Sequence, residues 1–370
     1  MNLGLYVHIP FCKSKCRYCD FNSYSKMDEY ITPYFSALIK EAGYYKDTAE
    51  TVDTVYFGGG TPTSVAPELL GETLKKLFEI YNISEDAEIT AECNPGTIGF
   101  EGLKILRQSG INRLSIGLQT TDDEKLKTLG RIHTFDDFKR CFENARTAGF
   151  DNISFDLMYG LPDQSLDDWG KTLDTALGFG AEHISCYSLK VEEGTPFANM
   201  DLNLPDDDLA ADMYELAVKK LSEHGYDRYE ISNFAKPGRE SRHNLKYWRC
   251  DDFLGLGAGA YSCVGVRRFS NICKNDEYIA AVEQNGFAEN MSSIQSVDEQ
   301  MSEFMFLGLR CSDGVKDSEF KAKFGTSFTA IFGNAIKKYT DWGFFIFDGE
   351  CLKFSDKGFF VSNTILADFV

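Results

Sequence analysis

Three cysteines, Cys12, Cys16 and Cys19, stand in the stretch HIPFCKSKCRYCDF with C-x3-C-x2-C spacing. Thiolates are soft donors that suit zinc and iron–sulfur clusters. A cubane [4Fe–4S] cluster is ordinarily held by four thiolates, one on each iron. A loop that supplies three leaves one iron open, and an open metal position is where a further ligand binds and chemistry starts. The same residues also fit a short buried helical stripe, though Lys13, Lys15 and Arg17 interrupt it and Pro10 precedes it. A zinc ion held by His8 and the three thiolates is another arrangement, but the sequence lacks the second knuckle of a structural zinc site.

Such chemistry needs a frame. Short apolar segments at 3–9, 54–57, 88–92, 113–118, 153–158 and 183–188 read as strands. Amphipathic patterns over 29–46, 67–81, 100–109, 135–149 and 165–180 read as helices between them. This alternation predicts an α/β fold with a parallel sheet, curled into a partial (β/α)6 barrel or open and doubly wound. The strand ends favour the barrel, whose site lies at the C-terminal mouth of its strands. There stand the cysteine loop, GGGTP at 58–62, Glu92, Gln119, Asp156 and Ser188.

Beyond the sixth strand, 206–225 reads as a helix and 226–235 as a further strand, followed by the polar, basic run KPGRESRHN. Helices near 298–309 and 328–342, a strand pair at 344–347 and 352–354, and a closing helix over 356–369 resemble a winged helix. The expected division is a core barrel over 1–235, a connecting segment over 236–290 and a smaller α+β, winged-helix-like domain over 291–370.

The chain has 370 residues, 43% of them hydrophobic, and carries a formal charge of −19. That acidity argues against a nucleic-acid partner, which needs a basic face, and the tail lacks the basic stripe of a DNA-binding winged helix. The cysteines number eleven, and the eight outside the loop are scattered singly rather than spaced as a disulfide framework. No signal peptide or transmembrane run is visible. A reduced, cytoplasmic protein is expected. Peripheral membrane association and oligomerisation stay open.

The cysteine spacing resembles the signature of radical S-adenosylmethionine (SAM) proteins. The ordered segments YVHIPFCKSKCRYCDFNSY, VYFGGGTPTS, ECNPG, RLSIGLQ, LGRIHT and FDLMYGLPDQ together resemble the oxygen-independent coproporphyrinogen III oxidase family over the first two-thirds of the chain. The resemblance implies a radical SAM barrel and a [4Fe–4S] cluster on Cys12, Cys16 and Cys19, whose open iron chelates the amino and carboxylate groups of SAM. An ammonium only donates hydrogen bonds, so the backbone of Gly59, Gly60 and Thr61 suits it. A phosphate-binding loop would end Gly-Lys-Ser/Thr, and this one reads Gly-Thr-Pro; a plain tight turn is the alternative. Arg131 suits the carboxylate through a charge-assisted pair, unless it is an ordinary surface arginine. Glu92, Gln119 and Asp156 suit the ribose hydroxyls and amino group. Tyr18 and Tyr6 are aromatic candidates beside the cofactor, and equally core residues.

The family contains oxidases and a sister group, the HemW-type haem chaperones. Oxidases carry another cysteine two positions after the third and an extension before the loop. Here the stretch is Cys19-Asp20-Phe21, and Cys12 follows shortly after the start. Both departures favour the chaperone. His243-Asn244-Leu245-Lys246-Tyr247-Trp248 resembles the HN-x-x-YW motif associated with haem in that group. The resemblance implies haem as cargo, with apo-haem proteins as partners. In this reading His243 is an axial ligand, Tyr247 and Trp248 offer flat surface, and Arg239, Arg242 and Arg249 meet the propionates. A hydrogen-bonded, structural His243 among core aromatics is the plainer alternative. The alternative function is oxidative decarboxylation of coproporphyrinogen III to protoporphyrinogen IX.

Overall fold

The computed structural model describes residues 2–48 and 50–370. β1 (Asn2–Ile9) runs into the cysteine loop, whose ends are tied by the pairing of β2 (Phe11–Cys12) with β3 (Tyr24–Ser25). Then follow α1 (Ile31–Tyr44), β4 (Thr51–Gly59), α2 (Pro67–Ile80), β5 (Ile83–Cys93), α3 (Phe100–Gln108) and β6 (Arg113–Gln119). Next come α4 (Asp123–Leu129), α5 (Phe135–Thr147), β7 (Ile153–Tyr159), α6 (Leu166–Leu177) and β8 (His183–Ser188). Side-chain caps explain several helix starts. Thr134 with Asp137 and Ser165 with Asp168 form reciprocal capping boxes on α5 and α6.

β1, β4, β5, β6, β7 and β8 lie side by side in that order, all parallel. Each right-handed crossover therefore steps the same way, and the helices collect on one face. A doubly wound sheet would reverse its order part-way, so the sheet is the partial barrel. Strand side chains alternate between faces. Leu5, Val7, Phe57, Ile89, Ala91, Leu114, Ile116, Phe155, Leu157 and Ile184 are buried in the main apolar core. Tyr56, Glu92, Ser115, Asp156 and Ser185, at the alternate positions, line an internal cavity. The inner face is polar because it is a lumen, not a core.

The sheet extends beyond the barrel on both flanks. After α7 (Asp207–Glu223), the expected strand over 226–235 is two short antiparallel pieces, β9 (Asp227–Arg228) and β10 (Asn233–Ala235), with β10 paired to β8. Residues 236–290, expected as a connector, carry α8 (Arg242–Trp248), β11 (Phe253–Leu256), β12 (Tyr261–Val264), β13 (Arg267–Asn271) and α9 (Asn275–Asn285). β11 pairs in parallel with the free side of β1, and β14 (Glu289–Ile294) completes a 12-stranded sheet.

The remaining elements are α10 (Val297–Gly308), β15 (Val315–Lys316), α11 (Asp317–Phe324), α12 (Phe328–Asp341), β16 (Phe345–Phe347) and β17 (Cys351–Phe354). Helices and a three-stranded sheet enclose their own core, including Met305, Phe320, Phe328, Leu352 and Phe369. The single helix expected over 356–369 is broken. α13 (Asp356–Phe360) ends at Val361, whose ψ of 18° leaves helical geometry, before α14 (Ser362–Leu366) and a final 3-10 turn. Among the described residues no helix is long and apolar enough to cross a membrane.

Candidate functional site

A cavity of about 380 Å³ runs from the cysteine loop into the barrel. Cys12, Cys16, Cys19, Tyr18, Gly59, Gly60, Thr61, Glu92, Gln119, Arg131 and Asp156 all line it. All three thiols are free, and Cys12 Sγ lies 3.5 Å from Thr61 Oγ1. Burial raises the Cys12 and Cys19 thiols above the usual thiol range, so metal must displace protons to bind. Among the described residues no three such donors are arranged around one metal ion. A cubane takes one thiolate per iron, so its donors need not converge on a point. The zinc arrangement with His8 does not fit. His8 is buried, with Nδ1 3.0 Å from Tyr6 Oη and Nε2 2.8 Å from Asn22 O.

The glycine loop is held by Glu92. Its Oε2 accepts from the Gly59 amide at 3.1 Å, and its Oε1 accepts from Tyr56 Oη at 3.0 Å. Gly59 has φ +113°, and a Cβ there would sit 2.5 Å from the His8 ring. Only glycine lets the loop cross the incoming chain so closely. Burial first, then the neighbouring Asp156 charge, pushes Glu92 up to about 7. Asp156 is raised by burial as well.

Asn94 joins two walls of the site. Its Nδ2 donates to Thr61 Oγ1 at 2.8 Å, while its Oδ1 accepts from Arg131 Nη1 at 2.8 Å. Arg131 Nη2 donates to Tyr18 Oη at 2.7 Å, and Arg131 Nε has no partner among the described residues. Gln119 has φ +70° where the β6–β7 register shifts, an irregularity that turns its side chain into the cavity. Tyr6 does not join this group. It is absorbed by β1, where its hydroxyl meets His8 and its ring stacks on Tyr56.

The haem-motif residues are divided by their helix. α8 closes the barrel at the strand starts: Lys246 Nζ lies 2.8 Å from Asp53 Oδ1, and the His243 amide donates to Glu88 Oε1 at 3.0 Å. His243 is 1% exposed, with Nδ1 2.8 Å from Thr54 Oγ1 and Nε2 2.8 Å from Tyr247 Oη. Burial pushes it down to about 3. Both ring nitrogens are engaged, so neither is open to iron in this arrangement. Trp248 faces elsewhere. It lines a second cavity, of about 410 Å³, with Arg249, Phe304, Cys311 and Lys316. Arg242 reaches Asp86 O at 2.7 Å, while Arg239 and Arg249 face Asp151 and Asp313.

Residues 6–176 match the radical SAM superfamily, and residues 295–361 match the HemN C-terminal domain. "Heme chaperone HemW" of Bacillus subtilis is 39% identical over 99% of this chain and 98% of its own length. The protein of the same name from Lactococcus lactis is 36% identical over 99% of this chain and 96% of its own.

The chain belongs to the HemW haem chaperone family.

The solved structure of coproporphyrinogen III oxidase from Escherichia coli, described as a radical SAM enzyme, superposes with a TM-score of 0.89 at 25% identity. It is matched over 100% of this chain and 90% of its own. The fold is thus an α/β radical SAM barrel with a separate C-terminal domain. Within this HemW-family chain, sequence reading passed over Asn94, Arg113, Ser115, His183, Ser185, Tyr187 and Asn244, which also line the barrel cavity. The alternation of RLSIGLQ carried a signal for Arg113 and Ser115 on Gln119's side, Asn94 stood in ECNPG just past the end of β5, and Asn244 lay within the HN-x-x-YW motif; nothing local marked the others.

Proposed function

We propose that this protein carries haem and passes it to apo-haem proteins, holding a [4Fe–4S] cluster and SAM in its barrel. One observation supports the cofactor part above all. Three free thiols and the polar set of Gly59, Gly60, Glu92, Gln119, Arg131 and Asp156 share one cavity at the strand mouths. When bound, the cluster and SAM supply one-electron chemistry.

The chain's own residues bind and orient. Cys12, Cys16 and Cys19 are the cluster ligands, and the backbone of Gly59, Gly60 and Thr61 suits the SAM ammonium. Arg131, held by Asn94 and Tyr18, presents charge to the carboxylate without a rotamer search. Glu92 and Asp156 take up hydroxyl or amino donors.

For the cargo, Trp248 and Phe304 offer apolar rings in the second cavity, and Arg249 and Lys316 offer cations for propionates. His243 holds α8 against the barrel. A reducing cytoplasm suits a chain with all eleven cysteines free.

Fold shared with an oxidase does not decide the activity. The deciding experiment is anaerobic, with reconstituted protein, reductant and coproporphyrinogen III, alongside a haem titration of the same preparation. The expected result is a haem absorption band and no protoporphyrinogen. Protoporphyrinogen formation would overturn the chaperone reading in favour of the oxidase.

A further inference from the structure

The second cavity, of about 410 Å³, lies within the size range of cofactor sites, roughly 300–1,000 Å³. Trp248 and Phe304 supply its rings, and Arg249 and Lys316 its cations. Proteins hold haem iron axially through histidine, cysteine, methionine or tyrosine. Of those four types, Cys311 alone stands among the described lining residues. The histidine of the HN-x-x-YW motif lies outside this cavity, with both ring nitrogens engaged.

Cys311 is 2% exposed and sits in the turn between α10 and β15. Its amide donates to Gly308 O at 3.0 Å, its carbonyl accepts from the Gly314 amide at 3.1 Å, and it forms an isolated antiparallel bridge with Glu230. The amide of Ser312, next along, donates to Tyr229 O at 2.9 Å. The turn is thus pinned to the C-terminal domain on one side and to the flank of the barrel on the other, which gives the sulfur a rigid base. The thiol of Cys351 is engaged by Asp313 O at 3.2 Å. On the Cys311 thiol burial acts first, then the charge of Asp313, and together they push it up to about 12. It stays a neutral thiol until a metal displaces the proton.

A separate observation at the same cavity also calls for a ligand. The Nε1 of Trp248 is buried and has no partner among the described residues. A buried donor left unpaired is costly, and a propionate entering beside the ring supplies the acceptor.

We infer that Cys311 is the axial ligand of the haem cargo, its thiolate bonding to ferric iron in the cavity lined by Trp248 and Phe304. The S–H bond breaks, an S–Fe bond forms, the proton leaves to solvent, and nothing is oxidised or reduced. The inference deepens the haem-carrying reading and rests on it.

The test is a titration of ferric haem into the cluster-reconstituted protein, so that Cys12, Cys16 and Cys19 are already capped. Magnetic circular dichroism and electron paramagnetic resonance separate thiolate from imidazole or oxygen ligation. The wild type should give the thiolate signature, and so should C250S, which removes a nearby thiol that does not line the cavity. C311S should lose the signature and bind haem at least about tenfold more weakly, since loss of a group that merely supports a metal ligand already costs that much. Its SAM affinity and far-ultraviolet circular dichroism should be unchanged. Haem bound to the wild type without the signature, a C311S protein that keeps it, or a C250S protein that loses it would each overturn the inference and leave haem carriage standing. If C311S does not fold, C311A takes its place, and the wild-type spectra decide without either variant. A wild type that binds no haem at all would overturn both the inference and the haem-carrying reading.

Discussion

The Nδ1 of His243 and the Oγ1 of Thr54 lie 2.8 Å apart inside the barrel, 189 residues distant in sequence. With Tyr247 on the other ring nitrogen, this contact makes the histidine of the HN-x-x-YW motif a clasp between α8 and β4.

His243→Ala should therefore lower unfolding stability by about 2–4 kcal/mol, the sum of two lost buried hydrogen bonds and their stranded partners. Haem binding per folded molecule should persist. Trp248→Ala should do the reverse, weakening the haem band with little change in the urea midpoint. A folded His243→Ala protein without haem would restore the histidine as ligand.

Cys16→Ser should abolish the brown colour and iron content of reconstituted protein while leaving the far-ultraviolet circular dichroism intact. The loop hangs from β1 and is not part of the apolar core. Retained iron and sulfide would defeat the cluster assignment.

Gly59→Ala should destabilise the fold by about 1–3 kcal/mol, the usual size of a strained backbone position. The new Cβ would meet the His8 ring at 2.5 Å from a backbone at φ +113°. Because Glu92 accepts from the Gly59 amide, SAM affinity should fall with stability. Unchanged denaturation and unchanged SAM titration would contradict the packing described.

Glu41 should make the protein less stable as pH rises. It is buried between Tyr278 Oη, the Gly257 amide and Asn271 Nδ2, and burial pushes it up to about 7 from 4.5. Between those values the unfolded chain has lost the proton and the folded chain keeps it. Stability is thus full below about 4.5 and falls until pH 7, by about 3 kcal/mol for this group. The Tyr278 hydroxyl, 2.6 Å from Glu41 Oε2, carries a lone pair that can accept from the protonated acid. Glu41→Gln mimics that neutral form and should flatten this part of the pH profile. An identical slope in the variant would assign the effect elsewhere, with Glu92 and Glu230, also raised to about 7, the next to examine.

The barrel strands were legible because each alternates apolar and polar residues over enough positions to show the period. In RLSIGLQ, for instance, Leu114, Ile116 and Leu118 face the helices and Arg113, Ser115 and Gln119 the lumen. The added strands were not. β11 and β12 have four residues each, separated by glycines, too short for periodicity to register. α4 escaped notice because its residues are mostly charged, though Asp122 caps its start and Gly130 ends it in the left-handed region. At the site, Glu92, Gln119 and Asp156 could be picked out as strand-end polar residues. Asn94 gains meaning only from what it meets across the barrel.

β1 is flanked by β4 on one side and by β11 on the other. The ribosome must deliver residues 253–256 before the second flank exists. Until then β1 is a raw sheet margin beside three free thiols, open to wrong pairing. Chains terminated before that point should consequently be aggregation-prone rather than partly functional.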